Sequence, residues 1–264
     1  MNSQEIIPKQ EQEPAQWIER LARFGYAAKG VVYVLVGFLA FQAAFNWGGK
    51  ITGTQGAFQT IASGPFGKVL LFLVAVGLLG YVVWRFVQAA TDPEHYVEGA
   101  KGIGRRVTYL ISGLIHGSLA LFAFRIVFSN PGSSSGSSSS EQTAGLLSKP
   151  FGQWLVGAIG VAIVAYGFYC FYRAITTQFR RKLKLAEMSP QEEKWSTRIA
   201  RFGLTARGIV SVIAGYFFIQ AARTSDASQA KTTEGALQTI QQQPYGAWLM
   251  GLVALGLIAY GIHL

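Results

Sequence analysis

The sequence predicts an all-α, polytopic membrane protein: six transmembrane helices arranged as three parallel helical-hairpin repeats with pseudo-threefold symmetry. Three observations carry this. Half of the 264 residues are hydrophobic and 14% are charged, against about a quarter charged in soluble proteins. The charge is confined to a few stretches, leaving runs such as Val69 to Trp84 with none. And one short pattern, RFGYAAKG from Arg23, returns as RFGLTARG from Arg201, each time just before a long apolar run.

Taken in order, the chain opens with sixteen residues that are polar and mixed in charge. No cleavable signal peptide is expected there, so the first span acts as an uncleaved anchor. Trp17, Leu21, Phe24 and Ala28 then recur at spacings of three and four, with Arg20 and Arg23 elsewhere on the turn. That pattern suits a short amphipathic segment in the membrane interface, after which Gly25 is expected to let the chain turn upward. The first span follows at Gly30–Phe45 and the second at Val69–Ala90. A run of about 20 residues crosses a hydrocarbon core of roughly 30 Å. Between them, GAFQTI from Gly56 predicts a turn or two of helix at the outer interface, and Pro65-Phe66-Gly67 predicts a proline in the first turn of the returning helix.

The third and fourth spans are Val107–Phe128 and Trp154–Ala174, joined by a low-complexity link, NPGSSSGSSSSEQTAG from Asn130. It reads as a solvated spacer. A second amphipathic stretch with Trp195, Arg198 and Arg201 precedes the fifth span, Gly208–Ala222, and the sixth is Trp248–Leu264.

The repeat extends well past the octapeptide. Lys29-Gly30 aligns with Arg207-Gly208, Gly37 with Gly215, Gln42 with Gln220, GAFQTI with GALQTI, Gly77 with Gly256 and Tyr81 with Tyr260. A weaker copy lies between them. Arg106 takes the place of Arg23, Tyr109 that of Tyr26, Gly113 that of Gly30, and Tyr166 that of Tyr81. In this middle copy Thr108 replaces the glycine of RFG and Ser112 replaces the basic residue before Gly113. The expected units are 1–98, 99–185 and 186–264, the last being C-terminally short because Leu264 is the counterpart of Arg85. Each unit has an even number of spans, so all enter the membrane in one orientation, around an axis along its normal.

On the repeated RFG-x-x-A-(K/R)-G and Pro-(Phe/Tyr)-Gly patterns, the chain from Trp17 onward resembles the bacterial family catalogued as domain of unknown function 1206. That family is described as a pair of transmembrane helices occurring three times per protein. The resemblance implies architecture and a bacterial membrane, and no chemistry.

The formal charge of +10 is unevenly placed. The N-terminal tail and the second and fourth links carry fifteen Lys and Arg, against Lys50, Lys68, Lys149 and Lys231 on the other links. The positive-inside rule then puts both termini in the cytoplasm, across a bacterial inner membrane or another internal energy-transducing membrane. Trp17, Arg20, Arg23, Lys29, Arg106, Trp195, Arg198, Arg201 and Arg207 are expected at lipid headgroups, the longer side chains snorkelling outward. Anionic phospholipid is the expected partner of this charge, and nucleic acid is not.

No carboxylate falls inside a predicted span, which disfavours ion-coupled transport. Cys170 is the only cysteine, and His95, His116 and His263 lack ligand spacing. No metal site, cofactor or catalytic residue is therefore expected, and the chain is read as a non-enzyme. His116, in GLIHG, is either a ligand or relay residue or a neutral histidine bonded to a neighbouring helix. Gly113 and Gly117 around it predict close helix packing. Aligning the odd spans yields three polar triads: Gln42, Arg125 and Gln220; Tyr33, His116 and Ser211; Lys29, Ser112 and Arg207. The reading is a membrane scaffold or accessory subunit that packs against another membrane protein and binds anionic lipid. The alternative is a small-solute carrier or channel lined by those triads.

Overall fold

The computed structural model describes residues 16–91, 100–128, 139–176 and 188–264. The Trp17 and Arg20 side chains, most of the Ser-rich link and the basic run Arg180–Lys184 lie outside the described residues. Among the described residues six helices are long and apolar enough to cross a membrane: α1 (Gln16–Ala44), α3 (Gly67–Thr91), α4 (Ala100–Phe128), α6 (Gly152–Thr176), α7 (Pro190–Thr224) and α9 (Gly246–His263). Three short ones, α2 (Thr54–Ser63), α5 (Ser139–Leu147) and α8 (Thr233–Gln241), sit on the connections that join each pair. There is no strand among the described residues. The protein is thus all-α, with its hairpins α1–α3, α4–α6 and α7–α9.

Two local expectations are corrected. The amphipathic segments and the spans that follow them are single rods, because the helix runs unbroken through Gly25 and Gly203. α7 starts far upstream of its apolar run, on a capping box. Ser189 accepts from the Glu192 amide, Ser189 N donates to Glu192 Oε2 at 2.7 Å, and Pro190 stands at the first helical position. The RFG glycines serve a close approach instead of a turn. A Cβ on Gly25 would stand 2.5 Å from the Tyr81 amide nitrogen, and one on Gly203 2.4 Å from that of Tyr260.

The second correction concerns Pro-(Phe/Tyr)-Gly. The returning helices begin at Gly67, Gly152 and Gly246, so the proline precedes them. The tetrads ending there close tight turns, with Gly67 N to Gly64 O at 2.9 Å, Gly152 N to Lys149 O at 2.9 Å and Gly246 N to Gln243 O at 2.8 Å. Proline fills the second place and an aromatic with positive φ the third: 56° at Phe66, 63° at Phe151 and 61° at Tyr245. That is the type II pattern, in which glycine usually takes the third place.

The spans form a ring that is open on one side, between α4 and α6. Each even span packs on the odd span of the next repeat: α3 on α4, α6 on α7, and α9 back on α1. Glycines seven residues apart set the two closest of these seams. Cβ atoms on Gly30 and Gly261 would each lie 2.6 Å from the other's carbonyl oxygen, and Gly167 and Gly160 meet Gly208 and Gly215 at 2.8–3.0 Å. Backbones this close gain dispersion and Cα–H···O contacts, which drive helix association where the hydrophobic effect is absent. At the α3–α4 seam the equivalents are Val82, Ala75, Gly113 and Ala120, and the approach is looser. Val82 methyls stand 3.9 Å from a Cβ on Gly117, and the Phe86 ring 3.4 Å from one on Gly113.

Within a hairpin, α1 packs on α3 and α7 on α9, but α4 and α6 share no packed seam. Their most apolar windows are accordingly only 22% buried, against 39–56% for the other spans. Away from that gap the interior is dense. Val36, Ala40, Phe58, Leu71, Leu237, Met250 and Leu257 have almost no accessible surface. Phe58 of α2 and Leu237 of α8 cap this core from the end where the odd spans finish, Phe58 stacking on Phe122. The polar side chains gather at the opposite end, where the odd spans begin.

Candidate anion-binding site

Three cations from three spans turn into the bundle at that end. Lys29 of α1 is about six residues, or ~9 Å, past Arg23 where the apolar run begins. Arg207 is its counterpart on α7. Neither snorkels outward. The Lys29 ammonium lies 5.0 Å above the Tyr81 ring, and the Arg207 guanidinium 5.0 Å from the Tyr33 ring and 5.8 Å from that of Tyr166. Arg85 of α3 joins them. Its Nε donates to Tyr81 Oη at 2.7 Å and its Nη1 to Gln88 Oε1 at 2.9 Å, while its guanidinium faces the rings of Tyr81 at 4.8 Å, Tyr109 at 5.2 Å and Tyr26 at 5.8 Å.

The tyrosines come from the repeat itself. Each even span contributes one at the same position, and each reaches into the next repeat. Tyr81 Oη is 3.1 Å from Ser112 Oγ of α4; Tyr166 stands against Arg207 of α7; Tyr260 meets Tyr33 of α1 edge-on at 4.9 Å. Tyr166 and Tyr260 hydroxyls are 3.5 Å apart, which links two of the three positions directly.

His116 lies among these groups, its ring 4.6 Å from that of Tyr81. Its Nδ1 is 2.8 Å from the Ser112 carbonyl, one turn back on its own helix. A carbonyl only accepts, so Nδ1 carries a proton. The neighbouring-helix bond expected for this histidine is replaced by an intrahelical one. Lys29, Arg85 and Arg207 all stand within electrostatic reach of the ring.

The balance of charge defines what the cluster can do. Tyr33, Tyr81, Tyr166 and Arg85 stand within electrostatic reach of Lys29, and Tyr33, Tyr166, Tyr260 and Cys170 within that of Arg207. No carboxylate among the described residues pairs with Lys29, Arg85 or Arg207. The Lys29 ammonium and Arg207 guanidinium donate to no acceptor among the described residues, and Arg207 Nε is sealed from solvent without a partner. Both side chains nevertheless retain some accessible surface. An unmet buried donor costs about 1–3 kcal/mol, more when charged. The arrangement therefore has the donors and the field to hold a phosphate- or carboxylate-bearing group, with tyrosine faces to flank it. Among the described residues no three His, Cys, Asp or Glu side chains come together as metal ligands.

The remaining sequence-predicted positions fall in two groups. Arg23, Arg106, Trp195, Arg198 and Arg201 are exposed where the odd helices begin, with Arg198 5.5 Å from the Trp195 ring. The triad Lys29, Ser112 and Arg207 does converge, through Tyr81 and Tyr33. Tyr33 and His116 belong to the same cluster, and Ser211 is buried one turn above Arg207. Gln42, Arg125 and Gln220 do not form a ring, because Arg125 is exposed on α4. Arg85, Gln88, Tyr26 and Tyr260 are site residues that the triads missed. The recurrence of Tyr81 at Tyr166 and Tyr260 was the available signal; Arg85 has Cys170 and Leu264 as its repeat counterparts, so symmetry could not point to it.

A family profile described as Domain of Unknown Function (DUF1206) matches residues 24–92, 107–177 and 202–264, one segment in each hairpin. The chain is 35% identical over 257 residues to the uncharacterized protein YxxB of Bacillus subtilis (strain 168), covering 97% of this chain and 92% of that protein. No solved structure matches. With every hairpin matched by the profile and nearly the whole chain aligned to the Bacillus relative, the protein is a multi-pass membrane protein that belongs to the DUF1206 family.

Proposed function

We propose that the protein is a non-enzymatic accessory component of a bacterial inner membrane, with both termini cytoplasmic, that binds an anionic headgroup at the Lys29–Arg85–Arg207 cluster. The carrying observation is the pair of inward cations, Lys29 and Arg207, that have no acceptor among the described residues. A cation drawn into a span is costly, up to about 2.5–3.5 kcal/mol at the helix centre on insertion scales, and it persists where an anion compensates it. The uneven placement of basic residues supports the cytoplasmic assignment of that end.

A carrier would draw on the same cluster. The packed outer half, closed by Phe58 and Leu237, favours a site reached from one side over a pore crossing the bundle. The test is thermal unfolding of the detergent-solubilised chain with added glycerol phosphate. Saturation at about 100 times Kd stabilises by roughly 2.7 kcal/mol, a rise that native protein shows and the K29Q/R207Q double variant loses. Equal shifts in both sink the proposal. The accessory role is checked separately, by whether another membrane protein co-purifies stoichiometrically from native membranes.

A further inference from the structure

We propose that the gap between α4 and α6 is a lateral doorway, through which an anionic phospholipid presents its phosphate to Lys29 and Arg207 while its acyl chains remain in the bilayer. This rests on the anion-binding reading and names the class of ligand.

The gap has a cause in the letters of repeat 2. Hairpins 1 and 3 close at two small-residue contacts each. Gly25 lies against the Tyr81 backbone and Gly77 against Ala28; Gly203 lies against the Tyr260 backbone and Gly256 against Ala206. Added Cβ atoms on these four glycines would fall 2.2–2.5 Å from their neighbours, so nothing larger fits. In repeat 2 the positions of the RFG glycine and the alanine are held by Thr108 and Ile111, both β-branched, and that of Gly77 by Ala162. Two helices carrying these side chains cannot come as close as the other pairs.

Exposure follows the same division. All eight contact positions of repeats 1 and 3 are buried, whereas Thr108, Ile111, Ala162 and Tyr166 are exposed. Tyr166 is 40% accessible, against 0% for Tyr81 and 5% for Tyr260. This tyrosine is the inner wall of the gap, and the Arg207 guanidinium stands behind it. The doorway therefore leads directly to a cation lacking an acceptor.

The rim identifies the occupant. Leu110 and Leu114 of α4 and Phe168 of α6 belong to the two helices that border the gap and are exposed along the spans. A free hydrated anion has no polar path along such a rim. A phospholipid has its phosphate at headgroup depth and its chains alongside, matching a cationic end and an apolar flank together. The site's excess of positive charge selects acidic lipid over zwitterionic.

The experiment is native mass spectrometry of the full chain in mild non-ionic detergent, with phosphatidylglycerol or phosphatidylcholine of identical chains. Phosphatidylglycerol is expected to be retained by native protein at least about tenfold more tightly than phosphatidylcholine. Two variants address the doorway. T108G/I111A/A162G gives repeat 2 the contacts that close its neighbours, and A162F fills the gap from an exposed position without touching the core. Both are expected to lose that preference while glycerol phosphate still raises their melting temperature. Retention of phosphatidylglycerol by both at the native level overturns the doorway and leaves the anion site standing. Glycerol phosphate binding with no preference for phosphatidylglycerol likewise overturns the lipid assignment alone. Unchanged binding of both probes by K29Q/R207Q removes the anion reading itself.

Discussion

Phe66, Phe151 and Tyr245 hold left-handed backbone conformations that cost a bulky residue about 1–2 kcal/mol, and their rings are 82–84% exposed. Packing inside the protein does not explain three such choices. Aromatic rings at the bilayer surface do, since Tyr and Trp concentrate at the headgroup level and Phe buries at the headgroup–acyl boundary. Replacing Tyr245 by glycine removes the strain and no internal contact. In detergent it is expected to raise the melting temperature by a few degrees, as about 1 kcal/mol does for a chain of this size; a drop would mean that the ring packs on the protein. The strained tetrads were half legible, since Pro-(Phe/Tyr)-Gly is plain in the sequence, whereas the reversal of φ at the aromatic is set by the turn and has no letter of its own. Lys29 and Arg207 were likewise visible as a matched pair. Their inward direction was not, because the choice between headgroups and bundle depends on neighbouring tyrosines contributed by other helices.

At the scale of helices, small residues decide which pairs approach. Gly30 and Gly261 share a crossing where either Cβ would enter the other's carbonyl. Gly30→Val is therefore expected to cost about 1–3 kcal/mol or more through overpacking, seen as a lowered melting temperature. Gly104, also helical, has nothing within 4 Å of its Cβ position. Gly104→Ala should be neutral or stabilise by up to about 1 kcal/mol, and equal losses at both sites would show that the crossing is not what Gly30 serves. The six spans, their hairpin pairing and the short outer helices were legible because hydropathy and repetition are properties of the linear chain. The continuity of α1 and α7 through RFG was not, since glycine permits both a turn and a close contact, and only the partner helix distinguishes them. The departures of repeat 2 at Thr108 and Ser112 were equally plain, but their meaning appears only when Gly25 and Gly203 are seen pressed against tyrosine backbones.

For the whole molecule, the pattern of seams means that no repeat completes its own share of the cluster. Tyr81 is used by α4, Tyr166 by α7 and Tyr260 by α1. A single hairpin exposes one glycine-lined edge that seeks a successor and another that seeks a predecessor. Isolated α7–α9 is expected to associate through these edges or to fail to accumulate in the membrane; a stable monomer of it, by analytical ultracentrifugation in detergent, would contradict that interdependence.

The seam of α9 against α1 has one more consequence. It packs α9 on α1 as α3 packs on α4 and α6 on α7, so the succession of even-to-odd seams does not itself mark where translation starts. The order of synthesis and the order around the axis are then separable. A permuted gene that begins at α4, runs through α9 and continues by a short polar linker into α1–α3 should yield the same six-helix ring, with a melting temperature near the native value.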